Sequence, residues 1–167
     1  MGLSIVEYGP QHKLHFNKLN RFWIEKYFRM EELDEFVLTN PEEAIIRPGG
    51  AVLMAEYDQT IAGTVALRKL GKKTFEFTKM AVDPAFRRRG IAEALSYASF
   101  YKAKELGASQ VILYSNSILT GAIALYEKLG FKHEAVGLAE YERSDVKMSI
   151  DIDTALSGAN EFQSRKV

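Results

Sequence analysis

The stretch "MAVDPAFRRRGIAEAL", Met80 to Leu95, decides the fold. Apolar residues lead into Asp83-Pro84, three arginines and a glycine follow, and the run after Gly90 has helical spacing. A strand therefore hands over to a helix across a basic turn. Two readings stand for that turn: a solvated basic corner, or a seat for a polyanion. A helix start leaves about four backbone N–H groups unpaired and carries partial positive charge. Gly90 lets the chain bend tightly there, and Ala92 keeps the approach clear. Strand, "RRRGIA" and helix together make a pyrophosphate cradle, to which arginine side chains add charge-assisted bonds. The turn lacks the GxxxxGK[ST] and GxGxxG patterns of other phosphate loops.

The elements on either side follow from hydrophobic period. "LSIVEY" reads as a first strand, and Pro10 to about Phe28 as a helix carrying Leu14, Phe16, Leu19, Phe22, Trp23 and Tyr27. A shorter helix covers Glu31 to Leu38, and Pro48-Gly49-Gly50 stops the chain before a change of period. "AVLMAEY", "TIAGTVALRKL" and "KTFEFTKMAV" are strands joined at Asp58-Gln59 and Gly71-Lys72, an antiparallel meander. Ile91 to Leu106 is a helix ended by Gly107, and "SQVILYS" is a central strand. Ala122, Leu125, Tyr126 and Leu129 share a face of the next helix, and "FKHEAVG" and "SDVKMSIDI" close the sheet. The expected fold is α+β, a mixed, mostly antiparallel sheet of about seven strands with about four helices. Residues 1–153 form a single domain, and 154–167 a polar tail that frays.

Composition sets bounds. The 167 residues carry 22 basic and 22 acidic side chains, so the net charge is zero and the arginine cluster is a local feature. A dedicated nucleic-acid binder would show a basic surplus. There is no cysteine, which excludes disulfides, thiolate metal sites and a cysteine nucleophile and suits a reducing cytoplasm. No basic region followed by an apolar run opens the chain, so neither a signal peptide nor a membrane partner is expected. His12 and His15 stand three apart but have no evident third ligand, so no metal is expected and a surface role is assigned. His133 is read as strand surface.

Together, "MAVDPAFRRRGIAEAL" and "AIALYEKLGF" resemble the GNAT superfamily of acyl-CoA-dependent N-acetyltransferases. Arg87, Gly90 and Ala92 fill the family's Arg/Gln-x-x-Gly-x-Gly/Ala pattern, and Leu125 to Phe131 its second block. The resemblance is strong from about Val52 to Gly137. It implies a GNAT-like sheet splayed between the fourth and fifth strands, with acetyl-CoA as cosubstrate. The coenzyme pyrophosphate would sit on the backbone of Arg87, Arg88, Arg89, Gly90, Ile91 and Ala92. The pantetheine arm would run along Met80, Ala81 and Val82. The family's asparagine position holds Leu119; Asn116, three residues earlier, either contacts the cofactor or caps the following helix.

Acetyl transfer to an amine needs a base, because an amine of pKa ~10.4 is roughly 99.9% protonated at pH 7. Glu76, between Phe75 and Phe77, matches the position of a glutamate base in some members; its alternative is a solvent-facing strand position. Tyr126 matches the family's tyrosine acid near the sulfur; its alternative is a core tyrosine. Trp23 and Tyr27 lie where the family's acceptor site is bordered, or in the core. Glu31, Glu32, Asp34 and Glu35 either attract a cationic amine or form a solvated face. The expected function is transfer of acetyl from acetyl-CoA to a primary amine of a small molecule or protein. The alternative is a non-catalytic acyl-CoA-binding or sensing module. The expected location is cytoplasmic, and the resemblance suggests a homodimer.

Overall fold

A computed structural model describes residues 2–165. Seven strands form one sheet in the order β1-β2-β3-β4-β5-β7-β6. The strands are β1 Leu3–Glu7, β2 Ala51–Tyr57, β3 Thr60–Lys69, β4 Thr74–Val82, β5 Gln110–Ser115, β6 Lys132–Glu134 and β7 Val146–Asp151. The helices are α1 Lys13–Tyr27, α2 Glu32–Thr39, α3 Ile91–Glu105, α4 Thr120–Leu129 and α5 Ile152–Arg165, with a π-helical turn at Glu42–Ile46. The β2–β3 and β3–β4 hairpins are antiparallel as the sequence predicts. The β2–β3 turn places Asp58 and Gln59 at φ 48° and 69°, the paired left-handed geometry of a tight hairpin. Only β4 and β5 run parallel, which the α3 crossover between them requires.

Alternation along the strands sends side chains to two cores. Leu53, Val65, Phe75, Phe77, Leu95, Phe100, Leu113 and Met148 pack on the α3 side. Phe16, Ile24, Leu38, Ile45, Val52 and Met54 pack beneath α1, α2 and the π-turn. Glu76 projects to the face opposite Phe75 and Phe77, so those rings do not enclose its carboxylate. Within α1 the buried stripe is Phe16, Asn20 and Ile24. Leu14 and Phe22, counted with the apolar face in the sequence, point outward, at 73% and 47% exposure. The reason is local: the Asn20 amide satisfies itself on the Phe16 carbonyl, so a polar residue sits in the stripe at no hydrogen-bond loss.

The segment after Asp153 differs from the expected frayed tail. It forms α5, buries Ile152, Ala155 and Ala159, and stacks Phe162 on Tyr97 of α3 with ring centroids 4.6 Å apart. Its stripe is built largely from alanine, which gives little hydropathy signal. No helix among the described residues is long and apolar enough to cross a membrane.

Candidate active site

β4 and β5 pair only at Thr74, Phe75 and Glu76, opposite Gln110, Val111 and Ile112. Beyond Glu76 the two strands part. β5 stays fixed by β7, with which it pairs over its whole length, while β4 stays with β3. The parting therefore opens a cleft rather than ending the sheet. A cavity of about 850 Å³ fills it, running from Arg87, Arg88 and Ala92 at one end to Glu76, Tyr141 and Arg143 at the other.

The turn at the cleft mouth has the chemistry to hold an anion. Asp83 accepts from the Ala85 N–H, and a single 3₁₀ turn follows at Pro84–Phe86. Arg88 and Gly90 then take left-handed backbone, at φ 61° and 73°. That conformation suits glycine, whereas Arg88 holds it at a cost of about 1–2 kcal/mol. Among the described residues, no acceptor takes up the backbone N–H groups from Arg88 to Glu93; the first helical bond runs from Ala94 to the Gly90 carbonyl at 3.0 Å. Six consecutive donors are left at the positive end of α3. The three arginines diverge. Arg87 lies 5.6 Å from the Trp23 ring, and both Arg87 and Arg88 line the cavity. The Arg89 guanidinium turns away onto Tyr57 and Phe86, at 4.8 and 5.3 Å. Ile91 turns its side chain into the core, so those two residues can contribute here only through their backbone.

Along the cleft, β4 carries a bulge. Thr64 faces Ala81 and Ala66 faces Thr78, so Val65 alone opposes Lys79 and Met80. Lys79 sits at φ 55°. The Asp83 N–H donates to Ala62 of β3 at 2.8 Å. Alternation then turns the polar groups of Ala81 into β3 and those of Val82 toward the cleft. The Val82 carbonyl is already occupied: the Trp23 indole N–H donates to it at 2.9 Å. Val82 thus has its N–H, but not its carbonyl, uncommitted to this partner. Trp23 stacks on Tyr27, rings 6.0 Å apart and within 3° of parallel, and both line the cavity.

Glu76 is buried at the last paired position of the cleft. It is not the solvent-facing position of its alternative reading. Burial pushes its carboxyl above the ordinary glutamate range, and the Arg68 guanidinium works against that rise. Arg68, directly across β3, donates through Nε and lies at 3.0 Å through Nη2. Arg68 also bonds Glu140.

Tyr126 of α4 is buried against Phe77 and Phe131. Burial pushes its hydroxyl up to about 12, and no hydrogen bond to that hydroxyl exists among the described residues. It lines the same cavity. Asn116 is committed within the protein: its carbonyl accepts from Ile118 N–H at 2.9 Å, and its amide donates to the Arg143 carbonyl at 2.6 Å.

The far end is closed by a group in which Lys79 and Arg143 are the residues that the sequence reading missed. Residues 135–145, between β6 and β7, form a strap across it. Asp34 has no exposed surface and accepts two bonds from Arg143, at 2.8 and 2.7 Å, and one from Lys79 at 3.0 Å. Burial opposes its charge, but these cations prevail and hold its carboxyl below the usual range. Burial lowers the Lys79 ammonium, against the pull of Asp34. Lys79 also donates to the Tyr141 hydroxyl at 3.0 Å. Arg143 reaches Glu31 at 3.2 Å, and Glu31 accepts from the Glu142 N–H. Two of the four acids assigned to a solvated or amine-attracting α2 face therefore anchor the strap.

The histidines take no part. His12 is buried, not on the surface, and its Nδ1 accepts from the Gly9 N–H at 2.9 Å. His133 is exposed and pairs with Glu127 at 2.8 Å. No cluster of three or more metal-ligating side chains occurs among the described residues.

Comparison with known proteins agrees with this geometry. An Escherichia coli protein described as the uncharacterized N-acetyltransferase YjgM is 34% identical over 107 residues, 61% of this chain and 64% of that protein. The chain thus spans just under two thirds of that relative. A Staphylococcus aureus acetyltransferase of the GNAT family superposes with a TM-score of 0.82 at 20% identity, over 90% of this chain and 99% of the other. The yncA protein of Salmonella typhimurium, solved with its cofactor acetyl-CoA, superposes with a TM-score of 0.73 at 18% identity, over 92% and 95%. The profile described as "Acetyltransferase (GNAT) family" matches residues 16–131. That match runs from α1 through the parted strands to the end of α4, and by it this chain belongs to the acetyltransferase (GNAT) family.

Proposed function

We infer that the chain is an N-acetyltransferase that moves an acetyl group from acetyl-CoA to a primary amine. The observation that carries this reading is one continuous cavity. It reaches the row of unpaired backbone donors at the start of α3 through Arg88 and Ala92, and joins it to a buried carboxylate, Glu76, and a buried phenol, Tyr126, unpartnered among the described residues. The donors and the Arg87 and Arg88 side chains receive the pyrophosphate. Met80 and Val82 offer cleft-edge backbone to the amides of the pantetheine arm. Asn116 serves by fixing the end of β5 against the strap. Trp23, which closes the Val82 carbonyl, and Tyr27 form the wall beside the thioester.

The chemistry balances without a covalent enzyme intermediate. Glu76, ionised beside Arg68, accepts a proton from the ammonium, directly or through water. The free amine attacks the thioester carbon and the C–N bond forms; the nitrogen passes its second proton to water as the C–S bond breaks, and the thiolate takes a proton from Tyr126, whose phenolate water reprotonates. Burial, which raises the Tyr126 pKa, keeps the phenol protonated until the thiolate appears. A module that only binds acyl-CoA has no use for either group.

Thiol release from acetyl-CoA across an amine panel tests this, with the thermal shift on coenzyme A measured alongside. Release with at least one amine supports the reading. A coenzyme A shift with no release on any amine replaces it with a sensing module, and no shift at all removes both.

A further inference from the structure

The acceptor end of the cavity displays charge in a definite order. Glu76 is the one carboxylate on the cavity wall among the described residues, and its counterion Arg68 lies behind the wall. Lys79 and Arg143 are on that wall with Tyr141. Their counterions are not: Asp34 is fully buried behind them, and Glu31 lies outside the lining. A ligand here meets one negative group and two positive ones.

The positive pair is placed there by structure rather than by sequence neighbours. The bulge in β4, with its left-handed Lys79, turns that side chain across to α2. Such strained backbone persists where the surroundings over-determine it, and it concentrates at functional sites. Lys79 has three N–H donors and two protein partners, Asp34 and Tyr141. One donor therefore remains for a ligand in a nearly dry setting.

Resting on the acetyltransferase reading above, we propose that the acceptor is an α-amino acid. Its amine is directed to Glu76 and its carboxylate to Lys79 and Arg143. The arrangement disfavours a polyamine, whose second ammonium would face two cations in a low-dielectric pocket. It also disfavours an amine stripped of its carboxylate, which would leave the Lys79 donor unmet. Trp23 and Tyr27 supply apolar wall for the acceptor's side chain.

The test uses the full chain, acetyl-CoA and thiol release. Leucine, phenylalanine and aspartate are each assayed beside their α-carboxamide and their decarboxylated amine, with spermidine included. At least one amino acid should exceed its carboxamide in kcat/KM by about 10- to 100-fold, the worth of a hydrogen bond to a charged group. Lys79→Met and, separately, Arg143→Gln should collapse that ratio toward unity; a purely structural role for either residue would lower both rates and leave the ratio standing. Equal or faster transfer to carboxamides, decarboxylated amines or spermidine overturns the amino-acid assignment while acetyl transfer stands. A wild-type preference that survives in both variants overturns the subsite. No release with any amine counts against acetyl transfer itself and removes this inference with it. Should one variant fail to fold, the wild-type panel and the other variant still decide.

Discussion

Replacing Arg68 by methionine should move the acid limb of turnover to higher pH and weaken the fold at neutral pH. Glu76 is only 5% exposed, its charge opposed by that burial, and Arg68 offsets the penalty at 3.0 Å. A neighbouring opposite charge lowers a carboxyl pKa by about one to three units. Its loss should therefore raise the Glu76 midpoint by about one to three pH units. At ~1.4 kcal/mol per unit, the variant loses ~1.4–4 kcal/mol of stability once the pH is above its raised midpoint. Arg68 is itself partly exposed, which favours the lower half of that range. The sign is set by linkage. The folded pKa already lies above the ordinary glutamate value, so the folded state holds an extra proton between the two values. This contribution favours the fold below about pH 4.5 and fades as pH rises through the folded midpoint. The variant extends that window upward. Its deficit relative to wild type should therefore be small near pH 4.5 and full at pH 8. The assays are kcat/KM against pH by thiol release, and urea denaturation across the same range. Glu140→Gln is the control, since it removes only the exposed partner of Arg68, a contact worth about 0–1 kcal/mol. An acid limb and a stability profile unchanged in Arg68→Met would refute the idea that this ion pair sets the charge of Glu76.

Three further outcomes are expected. Tyr126→Phe should lower kcat at least ~100-fold, the low end for loss of a general acid, with coenzyme A affinity by calorimetry unchanged; unchanged turnover removes Tyr126 as the acid. Gly50→Ala should destabilise severely in urea, by more than ~4 kcal/mol as for exceptional substitutions, because a Cβ there meets the Leu67 carbonyl oxygen at 2.1 Å and that of Ile45 at 2.7 Å. Phe162→Ala should cost about 1–3 kcal/mol, below the range for a fully buried ring, because α5 docks through its stack on Tyr97; a melting temperature equal to wild type would show that α5 adds nothing to the fold.

The cradle was legible in the sequence because its signals are local. A strand end, an Asp-Pro turn, an αL glycine and a helix start lie within a dozen residues, and each has its own chemistry. The partner of Glu76 was legible only to within one position: a two-residue turn at Gly71-Lys72 would set Leu67 opposite it, and Arg68 arrives there because the loop takes three residues, 71–73. The Trp23–Val82 bond and the Asp34–Lys79–Arg143 cluster were not legible. They join segments dozens of residues apart, and hydropathy spacing carries no information about where a long polar side chain ends. Lys79 reaches Asp34 only because β4 bulges, and a one-residue bulge leaves no mark in an alternating pattern. Glu31 and Asp34 read as part of a solvated face for the same reason, since Arg143 lies on a strap over a hundred positions away.

The strap has a consequence for how such a protein diversifies. Its tethers run to α2, β3, the β4 bulge and the end of β5, and among the described residues none reaches the arginine turn that opens α3. On the proposed reading, coenzyme recognition and acceptor choice are thus mechanically separate inheritances. Exchanging residues 135–143 between relatives would re-address the donor's acetyl group to a new recipient while the docking station for the donor stayed as it was.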